Sequence, residues 1–351
     1  PLNPAEALVY HLCTGTFLSL WSVANPQARR GKELCDILIV CDPDIVLWSV
    51  KEIDLADGES LSSLRRWRRK AIEKSAKQLY GAERQIAQMT SVAVPGSRYR
   101  LPFPPLSERR IHRMAVALGS RGLVPIAEGD LGSGFVHVVD EVSLNTLLTE
   151  LDTVVDFIDY LHSKETFLER TQVVIDGGEE DLLGIYLHNG RTFPTDASFL
   201  VVQSGVWQEV TAKPEWIARK AADRPSYVWD RLIETFLKDF SDQALDTGQS
   251  FDELDAIMRV MAREHRFARR LLATAFLDFM EQASAGKSRS RIVRSPSGVV
   301  YVFVAASRGF EPEHRKAELT GRCWVARGLN PDSTTVIGIA TEKYEGKPGF
   351  S

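Results

Sequence analysis

Two β-rich runs joined by a tight turn constrain this chain more than any other feature. Asp36-Ile-Leu-Ile-Val-Cys41 and Ile45-Val-Leu-Trp-Ser-Val-Lys51 flank Asp42, Pro43 and Asp44. Branched and aromatic side chains favour the pleated strand, while Asp and Pro favour the reversal between them, so the segment predicts a β-hairpin. With Cys41 roughly across from Ile45, Asp36 falls roughly opposite Val50 and shares one end of the hairpin with Lys51. Ser49 and Lys51 share a face because strand side chains alternate. A carboxylate and an ammonium group thus converge at a strand end.

Helical patterns surround the hairpin. Pro4 to about Trp21 carries Leu8, Leu12, Phe17, Leu18 and Trp21 on one face, and Asn25-Pro26 ends it. Residues 61–90 repeat Leu64, Trp67, Ala71, Ile72, Leu79 and Ile86 at helical spacing. The opening therefore reads αββα. Arg29-Arg30-Gly31 reads as a loop. Beyond it, Met114–Leu118 and Phe135–Val139 read as short strands, Leu144–Leu168 as an amphipathic helix, and Trp229–Phe240 and Phe251–Met280 as further helices. Lys287–Ser290 reads as a basic linker. Arg291–Arg294 and Val299–Ala305 form a second hairpin, followed by a helix near Glu313–Val325 and a strand near Thr334–Ala340. The expected organisation is an α/β chain in four parts. Residues 1–97 form an αββα core, 98–200 an acidic α/β middle, 201–286 a helical region and 287–351 a small ββαβ unit.

With 351 residues, 44% hydrophobic and 26% charged, the chain has the composition of a globular protein with ample core. No apolar run approaches the about eighteen residues of a membrane helix, and no secretory leader is visible, so a cytoplasmic protein away from membranes is expected. Cys13, Cys35, Cys41 and Cys323 form no CxxC pair, which argues for reduced thiols rather than a zinc knuckle. Net charge is −4 and unevenly spread. Residues 1–100 hold 14 basic and 11 acidic side chains, residues 101–200 hold 7 and 16, and residues 201–351 hold 22 and 20. A nucleic-acid surface is therefore sought at the ends, and the acidic middle is a candidate face for a protein partner.

The hairpin end suits phosphodiester hydrolysis. A carboxylate can hold Mg²⁺, which prefers oxygen ligands, and a nearby lysine can orient water or stabilise a phosphate. Glu6 on the first helix, Asp36, Ser49-Val50-Lys51 and the helix Ala71–Tyr80 with Lys74 and Gln78 resemble the restriction-endonuclease-like, PD-(D/E)xK nuclease superfamily. Glu33-Leu-Cys-Asp36 followed by that helix also looks like a group of bacterial proteins with nuclease domains. The resemblance covers about residues 1–90. It implies a Mg²⁺- or Mn²⁺-dependent endonuclease acting on DNA, in bacterial defence or a mobile element. Asp36 would bind metal, Glu6 or Glu33 would add a ligand, and the Val50 carbonyl would assist. Lys51 would act on the water, with Lys74 and Gln78 in support. The departure is Ser49, a poor metal ligand where the family has an acid. That favours the alternative of a catalytically degenerate fold that binds nucleic acid or a protein.

Leu64-Arg-Arg-Trp-Arg-Arg-Lys70 adds a basic surface. Arg65, Arg66, Arg68, Arg69, Lys70, Lys74 and Lys77 could hold phosphates and Trp67 could stack on a base; a solvated face with Trp67 in the core is the competing reading. Arg263, Arg266, Arg269 and Arg270 form either a second backbone track or a salt-bridge face between domains. Gly129–Gly134 reads as a turn, Glu179-Glu-Asp181 as a solvated loop, and His137, His162, His188, His265 and His314 have no metal-ligand spacing. Nothing in the residues fixes an oligomeric state.

Overall fold

The computed structural model describes every residue except 1, 29–30, 56–59, 96–99, 121–128, 242–249, 285–289, 307–311, 345–346 and 351. The loop expected at Arg29-Arg30 and most of the basic linker at 287–290 lie outside the described residues. The protein is mixed α/β and divides into two compact units, residues 1–217 and 218–351.

The first unit opens with α1 (Pro4–Phe17), β1 (Ser22–Ala24), β2 (Ile37–Cys41) and β3 (Asp44–Glu52). Asn3 caps α1, accepting from the Glu6 amide while the Glu6 side chain returns to the Asn3 backbone. A composite helix follows: α2 (Leu61–Arg68), a π-helical turn (Arg69–Glu73) and α3 (Lys74–Ile86). Next come β4 (Ser91–Ala93), β5 (Arg100–Pro102), β6 (Arg110–Leu118), β7 (Gly129–Asp130) and β8 (Phe135–Val139). The central sheet has the order β1-β2-β3-β6-β8-β7. It is mixed. β1, β2 and β3 form an antiparallel meander, β3, β6 and β8 run parallel, and β7 is antiparallel to β8.

The chain continues through α4 (Glu141–Glu150), α5 (Val154–Arg170), β9 (Gln172–Ile175), α6 (Glu179–His188), β10 (Phe199–Val202), α7 (Val206–Thr211) and α8 (Pro214–Asp223), within which the division of units falls. Ile37, Ile39, Val46, Trp48, Met114 and Val116 pack against α1, α4 and α5 in one core. Its aromatic centre is Phe17, Trp48 and Phe157, with ring centroids 5.0–6.3 Å apart. The composite helix covers the opposite face. The sheet is therefore the middle of three layers, and its strands read as nearly continuous apolar runs because both faces are covered.

These pairings revise the expected boundaries. β3 pairs along its whole length with β6, from Asp44↔Arg110 to Glu52↔Leu118, so a boundary at residue 97 would cut the sheet. The expected middle region shares its core with α1 and the hairpin. Cys41 pairs with Asp44, not Ile45, because Asp42 and Pro43 alone make the turn and Asp44 begins the strand. Leu144–Leu168 is two helices, interrupted at residues 151–153 where Thr153 caps α5.

The second unit contains α9 (Tyr227–Ser241), α10 (Phe251–Ala262), α11 (Arg266–Ser284), β11 (Ser290–Arg294), β12 (Val300–Ala306), α12 (Pro312–Leu329), β13 (Val336–Tyr344) and β14 (Lys347–Phe350). Its sheet runs β11-β12-β13-β14, with β12 and β13 parallel around the α12 crossover, so the expected ββαβ order is present with one strand added. Trp229 packs edge-on to Tyr301 at 5.0 Å. Arg266 and Arg269 pair with Asp230, and Arg270 pairs with Asp223. Three of the four arginines of the expected stripe are thus paired within the second unit rather than left open for phosphates. No described helix is long and apolar enough to cross a membrane.

Candidate functional site

Parallel strands bring their carboxyl ends to one edge of a sheet, where α/β proteins commonly bind ligands. β3, β6 and β8 do so here, and the antiparallel β2 delivers its start to the same edge. Asp36 stands immediately before β2 and is only 3% exposed. Its backbone N–H donates to the Trp48 carbonyl at 3.1 Å. Val50 lies two residues further on, past the start of β2, and its N–H donates instead to Asp36 Oδ2 at 2.5 Å. The carboxylate thereby takes up a strand donor that β2 leaves unmet. A strand residue points its N–H and C=O to the same side, so the Val50 carbonyl also faces the Asp36 side.

The other predicted groups gather on the same carboxylate. Lys51 Nζ lies 3.7 Å from Asp36 Oδ2. Gln78 on α3 donates from Nε2 to Asp36 Oδ1 at 3.2 Å. The Ser49 hydroxyl donates to Gln78 Oε1 at 3.2 Å, on the sheet face that the composite helix covers. Ser49 is fully buried, so it braces Gln78 and is not turned outward to a ligand. Gly119, just past β6, lets the chain leaving β3 pass close. It sits at φ +92, and a Cβ there would meet the Ile53 carbonyl oxygen at 2.5 Å.

Glu33 completes the acidic cluster. Partial burial, then the charges of Asp36 and Glu6 and a hydrogen bond with Asp36, push its carboxyl above the usual range, against the lowering effect of Lys51. A divalent cation beside such a carboxyl relieves the repulsion that raises it. The donor set is oxygen only, as Mg²⁺ and Mn²⁺ prefer. Glu6 contributes less than expected. Both its carboxylate oxygens are held by Asn3 at 3.0 and 2.7 Å, and its effect on Glu33 is electrostatic. No group of three or more His, Cys, Asp or Glu among the described residues has metal-binding geometry. Asp36 and Glu33 supply the oxygen chemistry that such an ion prefers.

No known family model matches the chain, and no curated protein or solved structure matches it.

The basic residues are displayed on the composite helix. Arg65, Arg66, Arg68, Arg69, Lys70, Lys74 and Lys77 are exposed, and none forms an ion pair with a described residue. Arg65, Arg66 and Arg69 line a groove with Leu61 and Ser62. Trp67 faces the other way. It is 4% exposed, and its indole N–H donates to the Ile53 carbonyl at 2.6 Å. Stacking on a base is therefore excluded for Trp67, which ties α2 to the exit of β3.

Sequence reasoning missed a second polar cluster. Asp44, assigned to the turn, is buried and holds Arg110 at 2.7 Å and His112 at 3.1 Å. Burial pushes its carboxyl up, but those two partners prevail and its pKa is lowered. His137 on β8 is fully buried against Glu165 at 2.8 Å. Glu179, read as part of a solvated loop, is buried at the start of α6 with Lys164 at 2.6 Å and Tyr160 at 2.7 Å. These pairs join strands and helices on the core side and touch none of the Asp36 groups. The signal for the first was present in Arg110-Ile-His112, two polar residues at strand spacing at the head of β6.

Proposed function

We propose that this protein is a metal-dependent nuclease that hydrolyses DNA phosphodiester bonds at the Asp36 end of the hairpin. The reading rests on one observation: Lys51, Gln78 and the Val50 backbone all converge on the buried Asp36 carboxylate at the carboxyl ends of parallel strands. The helix, three-strand meander, helix and parallel strand that carry them support the resemblance to the restriction-endonuclease-like superfamily. Asp36 and Glu33, with the Val50 carbonyl, would hold Mg²⁺ or Mn²⁺. A bound ion of this kind lowers the pKa of its water and offsets charge on the phosphate.

This chain's own groups do the rest. Gln78 and Ser49 fix the rotamer of Asp36. Lys51, part-exposed beside that carboxylate, orients a water or stabilises negative charge that grows on phosphate oxygens. Arg65, Arg66, Arg68, Arg69, Lys70, Lys74 and Lys77 hold the DNA backbone.

Plasmid and single-strand cleavage with Mg²⁺ and Mn²⁺ tests the reading, together with Mn²⁺ binding measured directly on the wild type, Asp36→Asn and Lys51→Ala. The expected result is metal-dependent cutting that Asp36→Asn and Lys51→Ala each lower at least 100-fold, with metal binding lost only in Asp36→Asn. Cutting that survives both substitutions would place the chemistry elsewhere. The buried Ser49 hydroxyl, where the superfamily has an acid, favours one rival. A degenerate module would bind DNA, bind no metal and cut nothing.

A further inference from the structure

The second unit holds a groove of about 400 Å³ between α10, α12 and β13, inside the range of about 300–1,000 Å³ typical of small-ligand sites. Ile257, Leu319 and Val336 contribute its apolar lining, and Thr320, Trp324 and Arg327 contribute its polar and aromatic lining. Gly338 shapes the floor: a Cβ there would lie 2.7 Å from Cys323 Sγ and 2.8 Å from Leu319 Cδ1. Its absence lets α12 sit down on β13.

Trp324 is 74% exposed and stacks on no described ring. An open indole beside an apolar hollow is a surface without a partner, not a core residue. Arg327 lies three residues on, on the same side of the helix. It is the one charged residue among the described residues lining the groove, and it forms no ion pair with a described residue. The groove therefore offers a flat π surface, an apolar floor and one planar cation, with no carboxylate in its lining to repel an anion.

We propose that this groove binds a nucleotide, with the base on the face of Trp324 and a phosphate at the Arg327 guanidinium. Indole faces stack on any base, and the guanidinium fork matches two phosphate oxygens. The ligand is either a free nucleotide or an unstacked base of a nucleic-acid strand, since both present the same ring and phosphate. The site is separate from the Asp36 groups and stands whether or not they cut DNA.

The test is tryptophan fluorescence of the full chain, read as the difference between the wild type and Trp324→Leu. The probes are AMP, adenosine and a twelve-residue oligothymidylate. The expected result is saturable quenching by AMP that vanishes in Trp324→Leu. Arg327→Gln weakens AMP at least tenfold and leaves adenosine unchanged. Saturable quenching by the oligonucleotide without quenching by AMP also supports the site and identifies a strand as the source. Quenching by none of the probes, or quenching that persists in Trp324→Leu, overturns the proposal. So does Trp324 emission that moves to the blue with protein concentration alone as the mass doubles, because a second copy then covers the groove. Both positions are exposed, and circular dichroism confirms that the variants fold.

Discussion

Asp36 does structural work as well as the chemistry proposed for it, and the two can be separated. Its carboxylate accepts the Val50 N–H in a buried setting, so Asp36→Ala leaves that donor unmet at a cost of about 1–3 kcal/mol. Asp36→Asn keeps the shape and one carbonyl oxygen. Urea denaturation is therefore expected to show Asp36→Ala clearly less stable than Asp36→Asn, while both fail to bind Mn²⁺. Equal stabilities would mean that Val50 finds another acceptor. Trp67 gives a second separation. Trp67→Phe keeps the buried ring but loses the bond to the Ile53 carbonyl, which predicts a loss of about 1 kcal/mol and unchanged affinity for nucleic acid. A tenfold fall in affinity at preserved fold would return Trp67 to the binding surface. Much of this cluster was legible in the sequence because its spacings are local: period two placed Ser49 with Lys51, and the hairpin brought Asp36 to them. Asp44 was hidden because Asp after Pro reads as turn, and only its partners on β6 reveal it as a buried strand residue.

Among the elements, the β8–α5 contact carries the clearest dependence on pH. Burial, against the hydrogen bond that His137 makes to Glu165 and aided by the charge of Lys164, pushes His137 down to about 3 from an ordinary 6.5. A histidine with a depressed folded value stays neutral while the unfolded chain takes up a proton. The folded state therefore holds its full advantage above pH 6.5 and loses it as pH falls from 6.5 toward 3. Each pH unit in that window is worth at most about 1.4 kcal/mol. Urea midpoints at pH 7.0 and 5.0 should fall by the equivalent of about 2 kcal/mol, and His137→Gln should flatten that fall. The lowered carboxyl of Asp44 acts in the same direction at lower pH, so the comparison belongs above pH 5. An unchanged pH response in His137→Gln would assign the loss to other groups. The same scale shows where sequence reading ran out. Strand identity for β2, β3, β6 and β8 followed from composition and alternation, but the parallel pairing of β3 with β6 is a long crossover that no local pattern announces. The π turn at Arg69–Glu73 is equally silent, since one extra residue in a helix leaves the apolar spacing almost intact.

At the scale of the whole molecule, charge is displayed by region and does not average out. The chain carries −4 overall, yet seven cations of the composite helix stand exposed without an ion-pair partner among the described residues. The line from Arg65 to Lys77 covers roughly 20 Å at about 1.5 Å per residue, comparable with about six base steps of one DNA strand at about 3.4 Å each. A face of this kind reads phosphates and releases counterions, so affinity should fall steeply with salt even though the protein is a net anion. On B-DNA each neutralised phosphate contributes about 0.9 to the slope of log K against log salt. Replacing Arg65, Arg66 and Arg69 together by Gln should lower that slope by about 2–3 and weaken binding to unrelated sequences alike. The substitutions leave the Asp36 cluster intact, so Mn²⁺ binding should not change. Fluorescence anisotropy of a labelled duplex between 50 and about 200 mM salt makes the measurement over the range in which such contacts lose most of their strength. A slope that stays the same would show that the groove of Leu61, Ser62, Arg65, Arg66 and Arg69 does not meet the backbone; a slope that falls on one sequence only would make these side chains readers of bases rather than of phosphates.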